Sequence, residues 1–212
     1  MAENPSRPEA SDEAPGREFH PVAGLFPMLR GAAFEQLAAD IQNNGLREPI
    51  LVDGEGRILD GRNRYRACLR AGVEPRFVEW QGTEPLAELA LSLNLHRRHL
   101  DESQRAMVAA RLAKLLETET RPKGRPRNNF ANLQNYSVGD PRAQAATSVN
   151  VSPRLVSSAI KLLRDGCEEL IQAVECGGLA VSTASMLAGL PPEEQAQARL
   201  ALTSWAFSGA PP

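Results

Sequence analysis

Cysteine is scarce: the 212 residues hold only Cys68, Cys167 and Cys176. None falls in a Cys-x-x-Cys pair or at zinc-ligand spacing, and the odd count argues against a disulfide framework. Aromatic residues make up only 5% of the chain, so a core must rest on Leu, Val, Ile and Ala. Hydrophobic residues at 42% suffice for one and exclude wholesale disorder. No apolar run reaches the roughly 20 residues a membrane helix needs. The opening MAENPSRPEASDEAPG has no basic-then-apolar layout of a signal peptide, so a reduced, cytoplasmic setting is expected. Charge of one sign is not in excess either. The formal net charge is -2, which gives no global positive field, and nucleic-acid binding would have to come from a local basic patch.

Punctuation divides what is there. Residues 1–18 are rich in Pro, Glu, Ser and Ala without apolar periodicity and read as a disordered tail. Residues 118–140 gather Pro, Gly and Asn and read as a basic flexible linker. Between them, residues 19–117 form a first folded block. Residues 141–203 form a second, and 204–212 are a tail. In the first block Phe34, Leu37, Ala38 and Ile41 have the spacing of an amphipathic helix that Gly45 ends. A hairpin follows, with PILV and RIL around the turn DGEG, then a helix RNRYRACLRA closed by Gly72, and a strand RFVEW over 76–80. Leu86, Leu89, Ala90 and Leu93 return to helical spacing. Asp101 with Gln104 makes a capping box for the long helix ESQRAMVAARLAKLLE. The expected class is α+β, a small mixed domain followed by an all-α module.

The turn at Asp60–Ala67 hands a strand over to a helix and carries Arg62, Arg64 and Arg66. Unpaired N–H groups at a helix N-terminus attract anions, and guanidinium groups above it add bidentate donors suited to phosphate. Arg62 and Arg66, four apart, share a face, and Arg64 projects elsewhere. The plainer alternative is a solvated basic helix face.

The run DGRNRYRAC resembles the arginine box of ParB-like partition proteins, usually Gly-Glu-Arg-Arg-x-Arg-Ala. Residues Ile41–Ile50 are similar to that family's first box, and Asn94–Leu100 to its third, usually Glu-Asn-x-x-Arg-x-x-Leu. The resemblance covers about residues 19–117 and implies a ParB/sulfiredoxin-like domain that binds CTP or another nucleoside triphosphate with Mg²⁺. By that resemblance Gly45, Leu46, Pro49, Gly61, Arg62, Arg64, Arg66, Asn94 and Arg97 are the nucleotide-binding residues. Gly61, Arg64 and Arg66 would hold phosphates, the Leu46–Pro49 turn would border the base, and Asn94 would lie near the metal. Arg62 and Asn63 replace the box's Glu and first Arg, and Leu93 replaces the third-box Glu. Losing a carboxylate removes an oxygen ligand that Mg²⁺ prefers, so hydrolysis is expected to be slow or absent. Sulfiredoxin shares this fold, but its Gly-Cys-His-Arg signature is replaced here by Gly61-Arg62-Asn63-Arg64, and Cys68 reads as a small buried apolar residue. His96, His99 and Asp101 could ligate a metal, although the run also reads as a solvated basic segment ending at a helix cap.

The segment Arg121–Arg127 holds four basic residues and two prolines. Its Lys-Gly-Arg-Pro resembles an AT-hook core, and a linker touching phosphates without preference is the plainer reading. The stretch Ala143–Ile160 meets the demands of a helix-turn-helix. Ala146 is small where two helices touch, Asn150 suits a left-handed turn, Val151 seals it, Ser152 caps the second helix with Pro153 at its first position, and Val156 points inward. Ser152, Arg154, Ser157, Ser158 and Lys161 would then face duplex DNA, with Arg125 and Arg127 on phosphates. Gly178, Leu179, Ala184 and Leu187 match a pattern of the ParB helical domain. About ten residues after Leu202 cannot form the dimerisation domain such proteins usually carry, which suggests a shortened DNA binder.

The expected function is a DNA-binding partition or regulatory protein gated by a nucleotide, acting on a two-fold operator as a homodimer. The alternatives are an enzyme on the ParB scaffold, such as a nuclease, nucleotidase or small-molecule kinase, and a nucleotide-independent transcription factor. For an enzyme, weak CTPase activity included, Glu35, Glu48, Asp53 and Asp60 are candidate acids, and most of them also read as surface charges.

Overall fold

The computed structural model describes residues 16–95, 100–120, 140–191, 193–195 and 197–198. The chain divides into two compact units: one holds the residues up to Ala23 together with Met28–Gln81, the other Gly24–Pro27 and the chain from Gly82 onward.

The first unit is α+β. After a short 3-10 turn that begins at Pro21 come α1 (Gly31–Asn44), β1 (Ile50–Val52), β2 (Ile58–Asp60), α2 (Arg62–Ala71) and β3 (Phe77–Glu79). β1 is the centre of the sheet, antiparallel to β2 and parallel to β3. A parallel neighbour needs a crossover, and α2 supplies it. α1 lies against α2, and Ala38, Ile41, Leu46, Ile50, Val52, Ile58, Tyr65, Ala67 and Cys68 close the core. Burial pushes the Cys68 thiol above its ordinary range, which leaves an inert packing residue.

The hairpin is fastened by Asp53. Its Oδ1 accepts the N–H groups of Glu55 (3.0 Å) and Arg57 (2.8 Å), and its Oδ2 accepts Arg57 Nε at 2.8 Å. Burial raises the carboxyl's pKa, but these donors outweigh it and hold Asp53 below the usual carboxylate range. Beside it, His20 Nδ1 accepts the Val22 N–H at 3.3 Å. Burial, then the charge of Arg57, lowers the imidazole pKa from 6.5 against the opposing pull of Asp53 and Glu55. A depressed folded-state pKa means that the unfolded chain takes up the proton first. The stabilisation is therefore complete above about pH 6.5 and drains away as pH falls toward the folded value. Thermal melts are expected to show a lower Tm at pH 5.5 than at pH 7.5, with a smaller drop in His20→Asn. An identical drop in the variant would assign the effect to other groups.

The elements of the second unit are all helices among the described residues: α3 (Leu86–Leu95), α4 (Glu102–Thr120), α5 (Pro141–Ser148), α6 (Pro153–Asp165), α7 (Glu168–Glu175) and α8 (Val181–Leu187). The capping box forms as expected: Asp101 Oδ1 accepts Gln104 N–H at 2.8 Å, and Gln104 Oε1 accepts Asp101 N–H at 2.9 Å. α4 is buried on nearly every side, with Ala106, Met107, Val108, Ala109, Ala110, Leu112 and Ala113 all in the core. A helix apolar all round must be covered all round, and α5, α6, α7 and α8 each pack on it. Polar ties complete the cover: Ser103 Oγ accepts the Val181 N–H that opens α8, and Arg111 pairs with Glu175 of α7. The sequence reading keeps α4 with the first block because the linker residues begin at 118; the packing groups it with the C-terminal helices instead.

Among the described residues no helix is long and apolar enough to cross a membrane.

Candidate functional site

Two places gather the polar groups singled out in the sequence. The first is the turn between β2 and α2. Gly61 opens the helix at φ 97°, and a Cβ there would lie 3.1 Å from the Arg64 guanidinium and 3.4 Å from Ile50 Cα. Only glycine combines that backbone with that approach. Arg64 folds back over the gap: Nη1 donates to Glu48 Oε2 at 2.7 Å, and Nη2 donates to Asp60 Oδ2 at 2.9 Å. Asp60 is 18% exposed and Glu48 58%, so one carboxylate is set into the turn and the other sits at its rim. The α1–β1 loop is thereby tied to the head of α2.

Arg62 and Arg66 each carry a guanidinium near an aromatic face. Arg62 Cζ is 5.9 Å from the Phe19 centroid, and Arg66 Cζ is 4.8 Å from that of Phe34 on α1. Asn63, which stands where the family's box has Arg, accepts the Leu29 N–H at 2.9 Å and so positions the chain entering α1. Gly45 and Pro49 border the loop that carries Glu48. Leu46 is 7% exposed, with its side chain in the core and its carbonyl accepting a hydrogen bond from Arg76. Asn94 lies on α3 in the second unit, where its Nδ2 donates to the Ala90 carbonyl at 3.1 Å. Arg97, His96 and His99 fall outside the described residues, as do Arg125 and Arg127.

The second place is the pair α5–α6. Asp140 caps α5, accepting the Arg142 N–H. Asn150 adopts φ 54°, the one non-glycine residue with positive φ among the described residues. The Val151 N–H donates to the Ala146 carbonyl at 3.0 Å, closing the turn, and Ser152 Oγ accepts Leu155 N–H to start α6 with Pro153 in its first turn. Ala146 and Val156 are buried at the helix crossing. The seal differs from the expectation: Val149, 1% exposed, is the apolar plug, while Val151 is only half-buried. The left-handed residue reverses the chain after Val149, so the side chain before the turn faces inward.

One stripe of α6 faces out, with Arg154 and Ser157 exposed and Ser158 and Lys161 half-buried. Val156, Ala159 and Leu162 anchor the opposite face, and burial of Val156 and of Leu162 contributes about 1.5–3 kcal/mol each. Arg154 has no hydrogen-bond or ion-pair partner among the described residues. Ser157 Oγ donates to the Pro153 carbonyl at 3.0 Å, leaving its oxygen to accept. Ser152 is committed as the cap. Missed by the sequence reading are Arg142 and Arg164, which line a concave patch together with Lys161. Their separation of 22 positions on two helices gave no local signal.

These features define a class: a small α+β unit with an arginine-bearing strand-to-helix turn, followed by a helical unit with a helix-turn-helix. Proteins named probable chromosome-partitioning protein ParB match part of the chain. That of Pseudomonas putida is 34% identical over 91 residues, covering 40% of this chain and 31% of its own length. That of Rickettsia prowazekii is 32% identical over 105 residues, covering 47% and 37%. The chain is similar to these proteins over this stretch, which spans about a third of their length. Among solved structures, C-terminally truncated ParB from Caulobacter crescentus bound to CTP-gamma-S aligns over 77% of this chain and 83% of that one, at 22% identity and TM-score 0.31. The same protein complexed to the centromeric parS site aligns over 97% and 86%, at 20% identity and TM-score 0.35. No family model matches the chain.

Proposed function

We propose that this chain is a sequence-specific DNA-binding protein of the partition type, acting as a homodimer on a two-fold duplex site and responding to a nucleoside triphosphate, CTP first. The observation that carries the reading is the α5–α6 geometry. A left-handed Asn150 sets two capped helices at a turn, and α6 presents Arg154, Ser157, Ser158 and Lys161 on one outward stripe. A helix fits the major groove, where such side chains meet base edges and phosphates. A dimer doubles the limited surface that one small module buries.

The nucleotide half rests on the three sequence boxes and on the turn at Gly61, where backbone N–H groups and Arg64 suit a phosphate chain. Arg66 lies on the next turn of the same helix. The described residues do not fit a protein-held Mg²⁺. Leu93 stands where the family has Glu, the Asn94 amide nitrogen is turned to Ala90, and no group of three metal-ligating side chains gathers among the described residues. A metal ion accompanying the nucleotide would take its ligands from the phosphates, and no hydrolytic step is assigned to this chain.

Fluorescence anisotropy on a duplex selected by the protein, with and without CTP, tests the reading. A salt-sensitive duplex affinity that shifts with CTP is expected. Retained duplex binding with no heat from CTP, ATP, GTP or UTP in calorimetry would leave a nucleotide-independent regulator, and no duplex binding at all would remove the reading.

A further inference from the structure

Beside the outward stripe of α6 lies a concave patch of about 380 Å³, lined by Glu117 of α4, by Asp140 and Arg142 at the head of α5, and by Ser157, Lys161 and Arg164 on α6. Three cationic side chains from two helices converge there. Their ion pairs are unusual in one respect. Arg142 is held by Asp140, with Nε 3.0 Å from both carboxylate oxygens and Nη2 at 2.8 Å. Arg164 is held by Asp165, with Nε and Nη2 at 2.7 and 2.8 Å. Each arginine thus pairs with a carboxylate one or two positions away. Such pairs join no two elements, so they hold no part of the fold together, in contrast to Arg111–Glu175, which ties α4 to α7. Both guanidinium groups are at least half exposed, at 50% and 71%, and exposed pairs exchange partners at little cost.

From this geometry we infer a phosphate-binding subsite for the duplex backbone. Arg142 and Arg164 exchange Asp140 and Asp165 for the oxygens of one backbone phosphate, and Lys161 adds a point charge. The carboxylates serve as placeholders that keep the guanidinium forks oriented until DNA arrives. Ser157 belongs both to the patch and to the outward stripe, so a duplex seated on α6 brings its backbone over the patch. The inference rests on the reading of α6 as the DNA-contacting helix. A phosphate diester carries no base identity, so this subsite contributes affinity and register without sequence preference.

The test measures affinity against salt for a selected duplex and a scrambled one, using the full chain. Arg142→Gln and Arg164→Gln are each expected to weaken both duplexes by the same factor, about 3- to 10-fold at low salt. Each should also reduce the slope of log affinity against log salt by about one. Asp165→Asn is expected to tighten both duplexes, an outcome that damage to the fold does not produce. Inorganic tripolyphosphate is expected to compete weakly with duplex on wild type and to compete less on the double Gln variant. A tripolyphosphate affinity above that for duplex, lost in the variant, would make the patch a site for a soluble polyphosphate and overturn the duplex assignment. An unchanged salt slope in both Gln variants also overturns the subsite, while the reader-helix reading stands if Arg154→Ala still alters the selected motif. If neither Arg154→Ala nor the Gln variants change duplex binding, the reading of α6 itself fails.

Discussion

Arg64→Ala is expected to weaken CTP binding by about 1.5–3 kcal/mol, the size of a hydrogen bond to a charged group, which is roughly 10- to 150-fold in Kd. Arg64 is the guanidinium set closest over the Gly61 turn, and Asp60 fixes its orientation from a half-buried position. Nη1, on Glu48, is the half that a phosphate oxygen can claim, since Glu48 stands at the exposed rim. Lysine cannot reproduce a fork held on one side while binding on the other, so Arg64→Lys is expected to recover little. Glu48→Gln should act with the opposite sign, tightening CTP by removing a competing carboxylate at the cost of a partly exposed pair worth about 0.2–1 kcal/mol. Calorimetry on the three variants checks the signs. Arg64→Ala with wild-type affinity, or Glu48→Gln with weaker affinity, contradicts this account of the turn.

The second large effect is expected at Arg154. It is exposed near the start of α6 and engages no partner among the described residues, so its guanidinium is available for a bidentate contact to a base edge. Loss of one such contact costs about 1–3 kcal/mol on the selected site and relaxes the preference at that base pair. Arg142→Gln and Arg164→Gln should weaken every duplex alike, because the proposed subsite takes a backbone phosphate, which carries no base identity. The contrast between a base-specific loss and a uniform loss separates the two kinds of contact better than either affinity alone.

Local grammar was legible in the sequence wherever a short stretch carried the whole signal. The helix Arg62–Ala71 is bracketed by Gly61 and Gly72, and the structure ends it at those residues. Asp53 folds the DGEG hairpin through hydrogen bonds to residues two and four positions on. Asn150 takes the left-handed turn because the spacing from Ala146 and the cap at Ser152 leave it no other role. What depends on distant partners was not legible. The Arg64–Glu48 bond spans 16 positions, and nothing near either residue announces it. The apolar sequence of α4 says that the helix is covered but not by which helices, so its placement with α5–α8 waited on the packing. The exchange of Val149 for Val151 as the plug of the turn is a one-turn matter of direction that both apolar side chains satisfied on paper.

Binding selection from a random duplex library tests most directly whether α6 reads duplex sequence. Wild type is expected to enrich one motif with two-fold symmetry, and Arg154→Ala to lose information at one base pair of each half-site while the rest of the motif persists. Enrichment of no motif by wild type, or an unchanged motif with Arg154→Ala, would contradict that reading of α6.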